Sequence, residues 1–562
     1  MKRFRWLLLS AAAAVLLAAC GGGSKSTTVA GKLTIDNESG STWTCQFNPF
    51  NTAATLGLTA FGWVYEPLEY VNILKSGSSG AISTTPFLAT SYKWSNGFRT
   101  LTFTIRKAVH WSDGKPFTAQ DVLYTFNAIK GDKAIDLNAI WANAGGPLTN
   151  VALSGSDRVV FTFTRPSQPY FYYVADQTPI VPQHIWSTLN QSKLISYTDT
   201  KPVGTGPYKV ANCTAQNIKY LRNPNYWQSS SGHPVPAVKE VDYPSFLSNS
   251  SANLYLSQGN AQWGGQYVPN IHSFYISKDP AHRHYWFPPV LNVNLIPNLS
   301  NPLLSKLAVR QAIAYAIDKP KVAQLGESGY QKPANQTGVI TPTYQSWFAS
   351  SITQPSYDPA KAQQILKSAG FTKGSNGIYQ LHGSPLSFTI KTITGFSDWD
   401  ASLAVITQEL KAAGIAATVQ DENSTPYTTD LQSGHFQLAY AGSGGPSSAV
   451  GGPTPYYELR GLLFSGNIGS TNFSRFNSPS TDALFNQYSS ANLAQQHQII
   501  DKIQKVMADQ IPFIPVTEGV DWYQYDTSNF SGWPTPSNPY AQPSPYQAPD
   551  LEVVVTHLHP LH

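Results

Sequence analysis

Few side chains in this sequence are spaced for catalysis. Ser443 stands in Gly442-Ser443-Gly444-Gly445, but the glycine that a nucleophile elbow needs two places before its serine is missing. Neither H-E-x-x-H nor G-x-x-x-x-G-K-[ST] occurs, so the zinc-protease helix and the phosphate-cradling loop are both absent. His282-Arg283-His284 and His557-Leu558-His559-Pro560-Leu561-His562 could offer imidazoles to a metal, yet no carboxylate or cysteine close by in sequence completes a site. A solvated loop and a frayed terminus account for them better. These patterns point to no catalytic residues, no metal and no cofactor. Of the three cysteines, Cys45 and Cys213 are 168 residues apart, which carries no spacing signature. They are either a disulfide or two buried thiols.

Cys20 belongs with the segment that would position it. Lys2, Arg3 and Arg5 precede an apolar run, Trp6 to Leu17, too short to hold a bilayer, and Leu17-Ala18-Ala19-Cys20 follows. Those four residues resemble the lipobox of bacterial lipoproteins, in which cleavage before the cysteine leaves its thiol lipidated. The expectation is a signal peptide over 1–19, a lipid anchor at Cys20 and a flexible glycine- and serine-rich tether over 20–31. No later run approaches the roughly 20 apolar residues of a spanning helix, so the lipid alone would hold the chain to the membrane.

Composition narrows the partners. Removing the leader takes three of 37 basic residues and lowers the formal charge from +5 to about +2. Without a concentrated basic face, nucleic acid is not an expected partner. Charged residues are 12% against a usual value of about 25%, while 14 Trp and 30 Tyr suit recognition by stacking and hydrogen bonding.

The elements alternate. Residues 32–36, 101–106 and 158–165 read as strands by their alternation and β-branched content. Thr118-Ala-Gln-Asp121 opens a helix as a capping box does, and Val309, Ala312, Ile313, Ala316 and Ile317 form one buried helical stripe. Asp358-Pro359 starts a helix that Gly370 stops, and a helix over 401–413 ends at Gly414 before a strand over 415–420. The fold class is α/β.

Four phrases then resemble, in order, the signatures of family 5 extracytoplasmic solute-binding proteins, the receptors of ABC importers for peptides, nickel and some oligosaccharides. They are Tyr65-Glu66-Pro67-Leu68, the run from His110-Trp111-Ser112-Asp113-Gly114 to Val122, Gly204-Thr205-Gly206-Pro207-Tyr208, and Val309-Arg310-Gln311-Ala312 to Asp318. Each also has a structural meaning as turn, cap or close approach. The resemblance implies a two-lobed periplasmic-binding-protein-like fold of type II with an extra subdomain and a ligand cleft between the lobes. It implies lobe I over 32–284, with an inserted subdomain at about 61–190, lobe II over 285–514, and a return over 515–562. A monomer that closes on its solute and docks on ABC permease subunits is the implied mode of action.

Peptide receptors of the family commonly place a carboxylate in lobe II against the peptide ammonium. The comparable stretch, residues 434–457, has none, and Gly259-Asn260-Ala261-Gln262-Trp263 carries amide or apolar residues where many members have acids. A buried ammonium without a counter-charge costs several kcal/mol, so this loop suits something neutral, and the Trp263 ending, the Gly452 to Tyr457 loop and the Gly532 to Tyr540 segment resemble the β-oligosaccharide binders of the family, which favours a neutral β-linked oligosaccharide. Trp43, Trp263, Trp399, Tyr456 and Tyr457 are the candidate sugar platforms, with Asn260 and Gln262 as edge partners. Glu458 and Asp430 flank the loop and keep an oligopeptide open as the alternative. A secreted hydrolase or adhesin on the same anchor is the remaining class.

Overall fold

The computed structural model describes residues 31–37, 40–51, 59–76, 82–136, 138–230, 235–341, 343–444 and 451–561. Cys20 and nearly all of the expected tether lie outside them. Lys32–Asp36 forms a strand as its alternation predicts, and it pairs in parallel with Glu240–Pro244, Leu33 opposite Val241. These two are central in a seven-stranded sheet that Trp263–Gly264, Arg283–Tyr285 and Gln524–Asp526 complete on one side and Tyr208–Cys213 and Asn217–Arg222 on the other. A second, six-stranded sheet is built on Pro289–Pro297, flanked by Ile514–Val520 and Leu438–Gly442. Between the first sheet's strands in sequence lies a four-stranded antiparallel sheet, Ala89–Ser95, Thr100–Ile105, Leu148–Leu153 and Arg158–Phe163, with its own helix Ala119–Gly131.

Local chemistry explains the boundaries. Thr118 accepts from the Gln120 N–H at 3.3 Å and Asp121 accepts from the Thr118 N–H at 2.8 Å, the reciprocal cap that the sequence predicts, worth about 1 kcal/mol. Asp358 caps Pro359–Ser368, and Gly370 beyond it has φ +85°. The next helix begins at Ser397, four residues before the expected Ala401, because Asp398 and Trp399 are drawn into the first turn by contacts with other elements. In Gly204-Thr205-Gly206, a Cβ on Gly204 would lie 1.8 Å from the Val64 carbonyl oxygen, and Gly206 N–H donates to that oxygen at 2.8 Å. That phrase is therefore scaffold.

The chain passes between the two large sheets twice. The first crossing lies between Tyr285 and Pro289 and the second between Val520 and Gln524, so residues 515–520 belong with the second sheet. The crossings bond to each other: Trp286 N–H donates to Tyr523 O at 3.1 Å and Asp521 N–H to Pro288 O at 2.9 Å. Phe287 and Trp522 meet edge to face at 4.9 Å beside them. Cys45 and Cys213 are bonded, S–S 2.08 Å, fastening the loop after the first strand to Tyr208–Cys213. Among the described residues no helix is long and apolar enough to cross a membrane.

Candidate functional site

The helix Pro455–Leu463 starts with Thr454 at its N-cap and proline in its first turn, and it puts Tyr457 and Arg460, three residues apart, on one face. That face meets the inserted subdomain. Gly452 packs so closely on the Tyr457 ring that a Cβ would sit 2.5 Å from it, and Tyr344 donates its hydroxyl to the Gly452 carbonyl at 2.5 Å. Across the seam, Tyr170–Ala175 is a fully buried helix. The Tyr457 ring stands 5.0 Å from Tyr172 and 5.4 Å from Tyr173, and its hydroxyl donates to the Pro169 carbonyl at 3.0 Å.

Arg460 is 1% exposed. Its guanidinium donates to Asn138 O at 3.1 Å and to the Tyr170 hydroxyl at 3.0 Å, and lies 4.4 Å from the Phe464 ring centroid. Further along the seam, Asn249 donates its amide to Asp398 at 3.1 Å, and Tyr267 and Ser328 share a hydroxyl hydrogen bond at 2.5 Å. These contacts join the two lobes along the seam.

Between the subdomain and the second lobe is a cavity of about 620 Å³. Tyr172, Tyr173 and Tyr457 give it ring surface, while Gln177, Asn467 and Thr471 give it polar edges. Asn467 donates to Arg460 O at 3.3 Å, but its buried side-chain carbonyl has no partner within the protein. Asp136 accepts from Ile140 and Trp141 N–H groups, and burial raises its pKa to about 6. Asp132 and Lys133 stand together at the wall.

The two carboxylates noted from sequence are already engaged. Glu458 accepts from Asn292 N–H and amide and from the Ser443 hydroxyl, the last at 2.6 Å, and burial raises its pKa to about 7. Asp430 is paired with Lys391, which also bonds Glu422. Residues 445–450 of the glycine-rich loop lie outside the described residues.

Of the seven side chains expected to meet a sugar, Tyr457 lines the cavity. Trp43 is 3% exposed and donates its indole N–H to Tyr243 O at 2.7 Å, and Trp263 is 0% exposed and donates to Pro543 O at 2.8 Å. Both serve the first lobe's packing. Gln262 accepts from Thr34 N–H within the first lobe, and Asn260 bonds Gln258 two residues away. Tyr456 is 0% exposed, stacked on Tyr488 at 4.4 Å and edge-on to Tyr457 at 5.3 Å. Trp399 packs edge-on against Tyr440 at 5.6 Å beside the Asn249–Asp398 contact. Tyr172 and Tyr173 line the cavity and Arg460 braces the seam beside it, and the sequence reading named none of the three; the run Tyr170-Phe171-Tyr172-Tyr173 was the available signal, since one helix face cannot bury four successive rings. Beside His282, Asp279 lies 3.0 Å from Nδ1, a carboxylate the sequence reading did not credit. Among the described residues no three His, Cys, Asp or Glu gather to hold a metal.

Comparison with known proteins gives the frame for this geometry. The family model "Bacterial extracellular solute-binding proteins, family 5 Middle" matches residues 83–460. The chain is 25% identical over 389 residues to the nickel-binding periplasmic protein of Escherichia coli, covering 67% of this chain and 69% of that protein. It is 22% identical over 468 residues to a protein of Agrobacterium fabrum named as a probable peptide-binding protein, 74% of each chain. In fold it is similar to the mannohexaose-bound periplasmic oligopeptide-binding protein of Thermotoga maritima, with TM-score 0.85, 24% identity, and 94% and 99% of the two chains covered. The oligopeptide-binding protein of Bacillus subtilis in complex with a nonapeptide gives TM-score 0.78 at 20% identity, again with 94% and 99% covered.

Proposed function

The chain belongs to the family 5 bacterial extracellular solute-binding proteins, substrate-binding rather than enzymatic components of ABC importers, and on that premise we propose that it captures a neutral β-linked oligosaccharide in the cavity between the inserted subdomain and the second lobe. The observation that carries this is the cavity wall: three tyrosine rings with amide and hydroxyl edges, and the nearby Glu458 and Asp430 both engaged elsewhere. Rings take the C–H faces of a sugar and amides its hydroxyls. The mannohexaose bound by the Thermotoga protein supports the same reading. Tethering through a lipid on Cys20 would keep the receptor near its permease while the lobes close. Moving the protein from the membrane to the soluble fraction by Cys20→Ser checks that part.

A second reading, an oligopeptide, has its own observation. Asp132 and Lys133 lie side by side at the cavity wall and could pair with a peptide's two charged ends, and relatives are named for peptide binding. Thermal unfolding with cello-oligosaccharides, mannohexaose and tri- to pentapeptides decides. A ligand at 100 times its Kd adds about 2.7 kcal/mol, seen as a rise of a few degrees in Tm. A rise with a sugar and none with peptides is expected; the reverse transfers the cavity to peptides.

A further inference from the structure

A second chamber adjoins the first. The edge strand Ala89–Ser95 of the inserted sheet points Tyr92 and Trp94, two residues apart, to the same side. Tyr92 is 39% exposed, and Phe171 supports its ring at a centroid distance of 4.3 Å. From the second lobe, Pro453, Thr454 and Tyr488 face them, and the space enclosed is about 320 Å³. Tyr457 lines this chamber as well as the 620 Å³ cavity, so one side chain forms a wall of both.

We propose that this outer chamber is an aromatic subsite for a further pyranose ring of an oligosaccharide whose first units fill the inner cavity. The inference rests on the oligosaccharide reading above. Its chemistry is that of a flat apolar face with polar edges: Tyr92 and Trp94 supply ring surface, while Gln168, Gln496 and the Thr454 hydroxyl, 3.2 Å from that of Tyr488, supply hydrogen-bonding groups. Both lobes contribute, so a unit bound there bridges the seam and favours closure. Tyr92 is the informative side chain, because an exposed ring on an edge strand can be removed without emptying the core.

The test is a length series. Titration calorimetry with cello- and manno-oligosaccharides of two to six units is run on the wild type, on Tyr92→Ala, and on Tyr357→Ala, a control at an exposed tyrosine of the second lobe. In the wild type, affinity rises about tenfold once the ligand is long enough to reach the outer chamber. Tyr92→Ala abolishes that rise and leaves the shortest binding sugar within twofold, and Tyr357→Ala changes neither. An undiminished rise in Tyr92→Ala, with sugars still bound, overturns the subsite alone. Binding of peptides and of no sugar at any length overturns the oligosaccharide reading and the subsite with it.

Discussion

Tyr457 joins the lobes through its hydroxyl and separates two chambers with its ring. Tyr457→Phe keeps the ring and strands the Pro169 carbonyl in a buried seam, a loss of about 1 kcal/mol. Because the bond spans the lobes, the cost falls on the closed form. Solute affinity is therefore expected to drop about fivefold while the Tm of the ligand-free protein moves by no more than a degree or two; an unchanged Kd would show that the bond is not made in the bound state. Tyr457 was named from the Gly452-Pro453-Thr454-Pro455-Tyr456-Tyr457 stretch, and it lines the cavity. Trp43 and Trp263 misled for a physical reason. A tryptophan suits a core or a binding platform equally, and what decides is a backbone acceptor for its N–H; for Trp263 that is Pro543, 280 residues away. Arg460 was illegible for the opposite reason, since an arginine on an amphipathic helix ordinarily reads as solvated.

At the scale of elements, the helix Pro455–Leu463 ties the second lobe to the inserted subdomain. Its N-terminus emerges from the loop at the cavity, and one turn further its Arg460 is inserted among Tyr170, Tyr173 and Phe464 with main-chain acceptors on the inserted subdomain. Arg460→Met retains the apolar stem but leaves Asn138 O and the Tyr170 hydroxyl without their donor, and charge-assisted bonds of this kind contribute about 2 kcal/mol each. Solute affinity is expected to fall at least tenfold, and small-angle scattering at saturating solute should show a larger radius of gyration than the wild type. An equal radius and equal affinity would remove the helix from the closing mechanism. Helices with side-chain caps, such as Ala119–Gly131 and Pro359–Ser368, were readable because their signals are local. Trp263–Gly264 and Gln524–Asp526 were not, since two or three residues carry no period and owe their strand geometry to partners far along the chain. The second crossing after Val520 was hidden likewise, because Ile514–Val520 is buried on both faces and gives no alternation to mark its end.

Across the whole molecule, buried carboxyls concentrate where the lobes and the returning segment meet. Asp398 lies at the seam, Asp521 at the second crossing, Asp550 in the first turn of the helix Asp550–His557 and Glu458 beside the cavity, and burial raises each to about 7. Hydrogen bonds from Asn249, from Gln547 at 2.6 Å and from the Tyr70 hydroxyl at 2.7 Å hold Asp398, Asp521 and Asp550 in turn without a cation. In the unfolded chain these groups titrate near pH 4. Between about pH 4 and 7 these carboxyls thus bind more protons in the native than in the unfolded state, and their contribution to stability falls as pH rises through that window, then levels off. Asp157, held below its ordinary value by Lys107, acts in the opposite sense only at still lower pH. The Tm is therefore expected to be highest at the acid end of that window, near pH 4, and several degrees lower at pH 8, with each buried group contributing on the order of 1 kcal/mol or more. Asp521→Asn, which keeps an acceptor for Gln547 and cannot ionise, should flatten part of this slope. A Tm that climbs from pH 5 to pH 8 would mean that these carboxyls are charged in the folded protein. Because Asp398 and Asp521 sit at the seam and the crossing, their ionisation loosens the contacts that closure must make, so the same pH rise should weaken solute affinity in the wild type and do so less in Asp521→Asn.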